Sequence, residues 1–344
     1  LLLVRRLEAR DAVSSLEKAV RQVAQREALL AEARADLDRA LKVGGPGRFT
    51  DQQVGSFKLG LLIGRGGMGE VYEAYGDKIG EAAVKLLHAG TLADRVSVAR
   101  FMREAETASK LDTPFVVRVL EVGTTAGEVP YLAMERLRGS DLSSVLREKR
   151  RLSMAETVEL VQQLANALEA ARGAGIVHRD LKPQNIFLAE LGGGVRVWKL
   201  LDFGVSKLGD HTGTLTKGHV VGTPMYMAPE QARGEAVDHR ADTLALATVA
   251  YRAVTGQPPY AGRDVPTILY NVVHRVPQRP GELVKVPKDL ERVLAIGMAK
   301  LPVQRFATAS ELAEAFDAAA HGKLGRDLRE RADALIAARP WGSG

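Results

Sequence analysis

Asp180, Lys182, Asn185 and Asp202 set a carboxylate, an ammonium, an amide and a second carboxylate along one stretch of chain. They occur in the runs His178-Arg179-Asp180-Leu181-Lys182-Pro183-Gln184-Asn185 and Asp202-Phe203-Gly204. That order supplies two magnesium ligands and a catalytic carboxylate at the spacing that phosphoryl transfer needs. The transferred group passes through a loose transition state, so catalysis consists mostly of positioning the nucleophile and stabilising charge. Few other chemistries need this arrangement. An isolated Asp-Phe-Gly would be an ordinary turn; it is the two runs together, in this order, that carry the inference.

The two runs resemble the catalytic loop and the metal-binding triplet of the eukaryotic-like protein kinases. The resemblance implies that Asp180 accepts a hydrogen bond from the substrate hydroxyl and orients it. It implies that Asn185 and Asp202 hold Mg2+ against the phosphates of ATP, and that Lys182 places a positive charge near the transferring phosphate. His178 has no His, Cys or acid cluster at metal-ligand spacing around it and reads as a structural histidine that holds the loop.

These groups require a nucleotide held above them. Ile63 leads into Gly64-Arg65-Gly66-Gly67-Met68-Gly69-Glu70-Val71-Tyr72, the Gly-x-Gly-x-x-Gly-x-Val form of a phosphate-covering loop. Alone, the form also fits a dinucleotide-binding turn, which needs a helix after it. The chain continues instead as Val71-Tyr72-Glu73-Ala74-Tyr75, an alternating β-rich stretch that argues for a hairpin. Glycine lets the backbone fold closely over phosphates. By the resemblance Val71 packs on adenine, with Ala83 in the same pocket.

Lys85 is the one lysine in the apolar run Ala82-Ala83-Val84-Lys85-Leu86-Leu87, and by itself would serve equally as a solubilising charge on an edge strand. The resemblance makes it the lysine that contacts the α- and β-phosphates. Phe101-Met102-Arg103-Glu104-Ala105 then points to Glu104 as its ion-pair partner, and Glu106 is left as a solvated face residue. Tyr131-Leu132-Ala133-Met134-Glu135-Arg136-Leu137 resembles the last strand of the small lobe and the hinge. There Met134 would wall the adenine pocket, a role compatible with being a core gap-filler, while backbone groups of Glu135 to Leu137 would recognise the base.

Ser153-Met154-Ala155-Glu156 has the spacing of a helix capping box, and Val158, Val161, Leu164, Ala165 and Leu168 recur beyond it at helical intervals, with Gly173 and Gly175 ending the helix. In the large lobe, Asp242 resembles the buried helix aspartate that anchors the catalytic loop. Arg305 resembles the partner of Glu230 in a buried ion pair. One departure is visible: Ala245 and Ala247 stand where the family usually shows a serine and a glycine.

The stretch from Asp202 to Glu230 resembles an activation segment and closes in Gly222-Thr223-Pro224-Met225-Tyr226-Met227-Ala228-Pro229-Glu230. Arg179, beside Asp180, would be neutralised by a phosphate on this segment. Thr214 and Thr216 are the expected autophosphorylation sites and Thr212 a third candidate; a Thr-rich, Gly-rich surface loop is the bland alternative. By the same resemblance Lys182 with Thr223 implies serine or threonine as the acceptor, since family members that act on tyrosine usually carry a different pattern, and Thr223 would bond near Asp180 and Lys182. The wording Gly-Arg-Gly-Gly-Met-Gly-Glu-Val-Tyr and Ala-Pro-Glu-Gln is most similar to bacterial serine/threonine kinases.

The expected fold is α+β: a two-lobed protein kinase fold with a β-rich N-lobe holding one key helix and a mainly helical C-lobe, preceded by a long N-terminal helix. The kinase domain is placed at 56–318, with N-lobe 56–134, hinge 135–139 and C-lobe 140–318. Residues 1–43 form the helix, 44–55 a linker rich in glycine, and 319–344 a charged C-terminal helix or tail. In the first segment Leu2, Ala9, Leu16, Val23, Leu30 and Leu37 keep a seven-residue interval, while the companion positions mix Val13, Val20 and Leu41 with charged Arg6, Glu27 and Arg34. The pattern admits two readings: a coiled coil that makes a homodimer, or a helix packed on the kinase domain or on absent neighbours.

The formal charge of +6 is spread among interspersed acids and bases, with no basic helix carrying aromatics, so no nucleic-acid partner is expected. The absence of cysteine excludes disulfides, thiolate catalysis and Cys-based zinc sites. No run of apolar residues approaches the roughly 18 that a membrane span needs. A cytoplasmic enzyme is expected, and since the chain does not begin with methionine it reads as a segment of a longer protein. Protein substrates, ATP and Mg2+ are the expected partners. A scaffold that binds nucleotide without transferring phosphate and a small-molecule kinase are the alternatives; the intact catalytic set weighs against the first, and the full activation segment against the second.

Overall fold

The computed structural model describes residues 19–20, 22–27, 29–31, 34, 43–65, 69–88, 92, 94–202 and 224–343, apart from the side chains of Ser97, Arg100 and Glu104. Strands β1 (Gln53–Val54), β2 (Phe57–Arg65), β3 (Gly69–Gly76), β4 (Gly80–Leu87), β5 (Val119–Thr124) and β6 (Pro130–Glu135) form one antiparallel sheet. Their order is β1-β2-β3-β4-β6-β5. Neighbouring strands along most of it are joined by short turns, as expected where period-two patterns are separated by turn residues. One face carries Phe57, Leu59, Tyr72, Val84 and Ala133, packed as the core of this lobe.

Helix α1 (Arg95–Ser109), capped by the Asp94 side chain, crosses the other face. Its apolar residues Phe101, Ala105 and Ala108 fall at helical spacing, and Phe101 and Ala105 pack with Leu87 and Leu132 of the sheet. Glu104 lies in this helix.

The glycine-rich stretch expected as a linker is seated on the sheet. Gly44 N–H donates to Leu62 O at 2.8 Å, Leu62 N–H donates to Gly45 O at 3.0 Å, and Phe49 is buried edge-on against Tyr72. Burial of one aromatic side chain and pairing along β2 hold these residues. Of the heptad seam, the described positions Val23 and Leu30 are helical and exposed, as is Val20 of the companion set; the rest of the seam lies outside the described residues.

The large lobe is built on helices α2 (Leu142–Lys149), α3 (Met154–Gly173), α4 (Pro229–Ala232), α5 (Arg240–Thr255), α6 (Val265–His274), α7 (Pro280–Leu283), α8 (Lys288–Gly297), α9 (Ala309–Ala320) and α10 (Arg326–Ala338). Helix α3 begins with the expected capping box: Glu156 N–H donates to Ser153 Oγ at 3.2 Å and Ser153 N–H to Glu156 Oε2 at 2.8 Å. Helix α5 is buried on all sides from Ala241 to Thr255, which places it at the centre of the lobe. A small sheet of β7 (Gly139–Asp141), β8 (Ile186–Leu191) and β9 (Val195–Leu200) lies at its upper surface and frames the loop from Ala174 to Asn185.

Ala245 and Ala247, the departure seen in the sequence, are both buried in α5. Ala247 faces Gly297 of α8, where an added Cβ would lie 2.7 Å from the Ala247 Cβ. The methyl group at position 247 is accommodated because position 297 carries none.

Candidate active site

The loop that holds Asp180 is fixed from below by one buried carboxylate. Asp242, in the first turn of α5, accepts the His178 N–H at 2.7 Å on Oδ2 and the Arg179 N–H at 2.8 Å on Oδ1. Burial pushes the Asp242 carboxyl up to about 6, against the pull of the Arg179 and His178 N–H groups. Arg179 adopts φ 64°, a left-handed conformation that costs a residue with a Cβ of order 1 kcal/mol or more. Asp242 and the Gln231 side chain, whose Nε2 donates to Arg179 O at 3.0 Å, hold it there.

His178 is fully buried. Burial lowers its pKa to about 4, so the ring is neutral at physiological pH. Its Nδ1 accepts the Asp180 N–H at 3.1 Å, which leaves the proton on Nε2, 3.4 Å from Leu201 O. The histidine thereby ties the Asp180 backbone to the strand end that precedes Asp202.

The Asp180 carboxylate is held by its two neighbours. Lys182 Nζ lies 2.7 Å from Oδ2, and Asn185 Nδ2 donates to Oδ2 at 3.1 Å and to the Asp180 carbonyl at 2.9 Å. Asn185 closes the 3-10 turn Pro183–Asn185. With its nitrogen committed to Asp180, its Oδ1 is the atom suited to a hard cation.

Asp202 and Lys85 meet above this loop, Lys85 Nζ 2.8 Å from Asp202 Oδ1. Protein packed around Asp202 disfavours its charged form, but 45% of the side chain remains exposed on the cleft and the Lys85 ammonium outweighs the packing. The Asp202 carboxyl is held below its ordinary range, and the fields of Lys182 and Asp180 also reach it. Lys85 itself is buried. The side chain of Glu104, its expected partner, lies outside the described residues.

Strand register explains how an apolar slot forms beside these charges. Gly64 pairs with Val71, Val71 with Lys85, and Ala83 with Met134, so Val71, Ala83, Lys85 and Met134 share one face of the sheet. Ala83, Val117 and Met134 cluster there with Ile63, Val71, Leu137 and Leu201. Gly69, at the start of β3, presses against Leu86 O so closely that a Cβ would strike it.

Not every expected nucleotide-binding side chain points into the slot. Glu135 turns its carboxylate to Lys199 and the Arg118 N–H, while its own N–H donates to Arg118 O at 2.9 Å. Arg65 pairs across the strand ends with Glu70 at 2.5 Å. Val117 and Leu201 were not anticipated: Val117 sits in a connector without a periodic pattern, and Leu201 gave no signal beyond its place before Asp202. Gly66, Gly67, Met68, Phe203, Gly204, Thr212, Thr214, Thr216 and Thr223 lie outside the described residues.

The distal end of the activation segment is anchored as expected. Arg305, with no exposed side-chain surface, forks onto Glu230 at 2.6 and 2.7 Å, and its Nε donates to Ala299 O at 2.8 Å.

Comparison with known proteins gives a concordant picture. The family described as protein kinase domain matches residues 57–314. The chain is 38% identical over 269 residues to a probable serine/threonine-protein kinase PknB of Bifidobacterium longum, covering 75% of this chain and 38% of that protein. It is 37% identical over 290 residues to the serine/threonine-protein kinase PknD of Mycobacterium tuberculosis, covering 83% of this chain and 42% of that one. The chain thus spans less than half the length of these relatives. The crystal structure of the Mycobacterium tuberculosis PknI kinase domain superposes with a TM-score of 0.61 at 27% identity, covering 78% of this chain and 98% of that one.

Proposed function

This chain belongs to the protein kinase family, among the bacterial serine/threonine kinases, and we propose that it transfers the γ-phosphate of ATP to serine or threonine hydroxyls of proteins. The observation that carries the reading is the cluster itself: a carboxylate fixed by Lys182 and Asn185, facing the Lys85–Asp202 pair beside an apolar slot.

The donor set fits ATP with magnesium. Asp202 and the Asn185 amide oxygen offer two hard ligands, the usual protein share when phosphates complete the coordination of Mg2+. Among the described residues no group of three or more metal-ligating side chains forms a cage of its own. Ile63, Val71, Ala83, Met134 and Leu137, with Val117 and Leu201, would enclose adenine. Bound ATP and Mg2+ supply the phosphoryl group and neutralise charge that develops on it.

The protein's own groups then act in a defined order. Lys85, redirected from Asp202, holds phosphate oxygens. Asp180 accepts the hydrogen bond of the substrate hydroxyl and aims its oxygen at the γ-phosphorus. As that oxygen bonds to phosphorus, the bond to the ADP oxygen breaks and the hydroxyl proton passes to Asp180. Lys182, paired with Asp180, stabilises charge on the transferred group.

Activation rests on Arg179. Its Nε is buried with no hydrogen-bond partner among the described residues, and a phosphate on Thr214, Thr216 or Thr212 would supply one. Thr223 would brace Asp180 and Lys182, and Glu104 would hold Lys85. The exposed Val20, Val23 and Leu30 support pairing of two chains through the N-terminal helix, which would bring activation segments together at high effective concentration. No helix among the described residues is long and apolar enough to cross a membrane. The cytoplasm, where ATP is available, is the proposed site of action.

The test is incubation of the purified chain with ATP and Mg2+ beside an Asp180→Asn control, with incorporated phosphate mapped by mass spectrometry. Phosphothreonine in the activation segment of the wild type alone is the expected result. No transfer to itself or to protein acceptors, despite measured nucleotide binding, would overturn the reading in favour of a nucleotide-binding scaffold.

A further inference from the structure

Helix α10 lies beyond residue 314, where the match to the kinase family ends. Leu328, Ala332 and Leu335 recur on one of its faces and pack on the large-lobe core, joined by Trp341 of the tail beyond it. The tail is bonded back to the lobe by Gly342 N–H to Pro277 O at 2.7 Å and Val276 N–H to Ser343 O at 2.8 Å. Two charged contacts join α10 to α8 side by side, Arg329 with Asp289 at 2.7 Å and Arg292 with Asp333 at 2.8 Å.

Arg331 makes a different contact. Its Nη2 donates to Gln304 O at 2.9 Å and to Arg305 O at 2.7 Å, and its guanidinium stands 5.6 Å from the centre of the Phe306 ring. The 3-10 turn Pro302–Gln304 ends there. Carbonyl groups at the end of such a turn lack partners within it, and Arg331 satisfies them. The backbone it grips is the one from which Arg305 reaches Glu230, and Gln231, next to Glu230, bonds the carbonyl of Arg179 beside Asp180.

We propose that Arg331 is a positioning residue for phosphoryl transfer: α10, through Arg331, fixes the backbone of Arg305, and with it the Glu230 end of the activation segment against the catalytic loop. The inference rests on the kinase reading for its consequence but not for its geometry. Nothing in the contact touches nucleotide, so the effect falls on turnover with a protein acceptor and not on the KM for ATP.

Arg329 provides the control, because it is a charged anchor of the same helix that leads to Asp289 and not to Arg305. In the full chain, Arg331→Ala is expected to speed amide hydrogen exchange across residues 226–236 and to lower kcat on casein by roughly two- to thirtyfold. The KM for ATP stays at the wild-type value. Arg331→Lys, which keeps one donor, recovers part of both effects, and it carries the comparison if Arg331→Ala fails to fold. Arg329→Ala is expected to lower thermal stability while leaving exchange at 226–236 and kcat near wild type. Equal effects of the two alanine variants, or wild-type exchange at 226–236 in Arg331→Ala, would overturn the proposal. A wild-type chain without activity would sink the kinase reading, while the exchange comparison would still decide the role of Arg331.

Discussion

Lys199 Nζ lies 2.6 Å from Glu135 Oε1, and the same carboxylate oxygen accepts the Arg118 N–H at 2.8 Å. Glu135 ends β6 at the crossing between the lobes, and Lys199 lies in β9, which leads to Asp202. Met134 precedes Glu135, Val117 precedes Arg118, and Leu201 stands two residues beyond Lys199. One side-chain oxygen atom therefore joins three segments that each contribute a wall to the apolar slot.

The two partners should respond unequally to substitution. The Lys199 side chain is 7% exposed and the Glu135 side chain 22%, so Glu135→Leu strands a buried ammonium, whereas Lys199→Met leaves a carboxylate that water can reach. Glu135→Leu is expected to cost about 3 kcal/mol of stability, and Lys199→Met distinctly less. Both should raise the KM for ATP by displacing the slot walls. Urea unfolding and nucleotide kinetics test this, and equal stabilities for the two variants would contradict it.

Asp242 predicts opposite pH trends for activity and for its own contribution to stability. Ionised, it accepts two loop N–H groups; protonated, it turns a hydroxyl toward one of them and loosens the loop. Turnover should fall as pH drops through about 6. The folded pKa lies above the unfolded value of about 3.9, so the contribution of Asp242 to stability rises as pH falls through the same window, while His178, lowered to about 4 by burial, contributes in the opposite sense over much of it. Asp242→Asn should show low turnover without the step near 6. A pH series of kcat, and one of the difference in thermal midpoint between the wild type and Asp242→Asn, in which the His178 contribution cancels, check both signs.

The Ala247–Gly297 contact predicts a compensating pair. Gly297→Ala places two methyl carbons 2.7 Å apart in a buried helix crossing and should cost about 1 to 3 kcal/mol by overpacking. Adding Ala247→Gly should restore much of the loss, leaving a coupling energy that thermal melts of the four proteins can measure. Additive losses would show that the methyl at 247 is not what position 297 accommodates.

If a phosphothreonine completes Arg179, replacing Thr212, Thr214 and Thr216 together by alanine should lower turnover at least roughly tenfold, the worth of one charge-assisted hydrogen bond. Arg179→Ala should do the same. Combining the two changes should add nothing further, because each removes the same contact. An undiminished rate in the triple variant would remove the activation segment from the account.

What was legible in the sequence was local or carried by spaced motifs. The capping box of Ser153 and Glu156 is read within four residues because its hydrogen bonds close within one helical turn. The roles expected of Asp242 and of Glu230 with Arg305 came with the resemblance, and the hydrogen bonds observed at these residues have the expected partners. The helical period likewise indicated the buried face of α3, as for Val158, Val161, Leu164, Ala165 and Leu168. A period identifies a face and not the partner across it. The join of Lys199 to Glu135, the entry of Val117 and Leu201 into the slot, the fit of Ala247 against Gly297 and the grip of Arg331 on Arg305 each depend on strand register or helix crossing between distant segments. Those distances are set only when the whole chain packs, and so only the tertiary structure decided them.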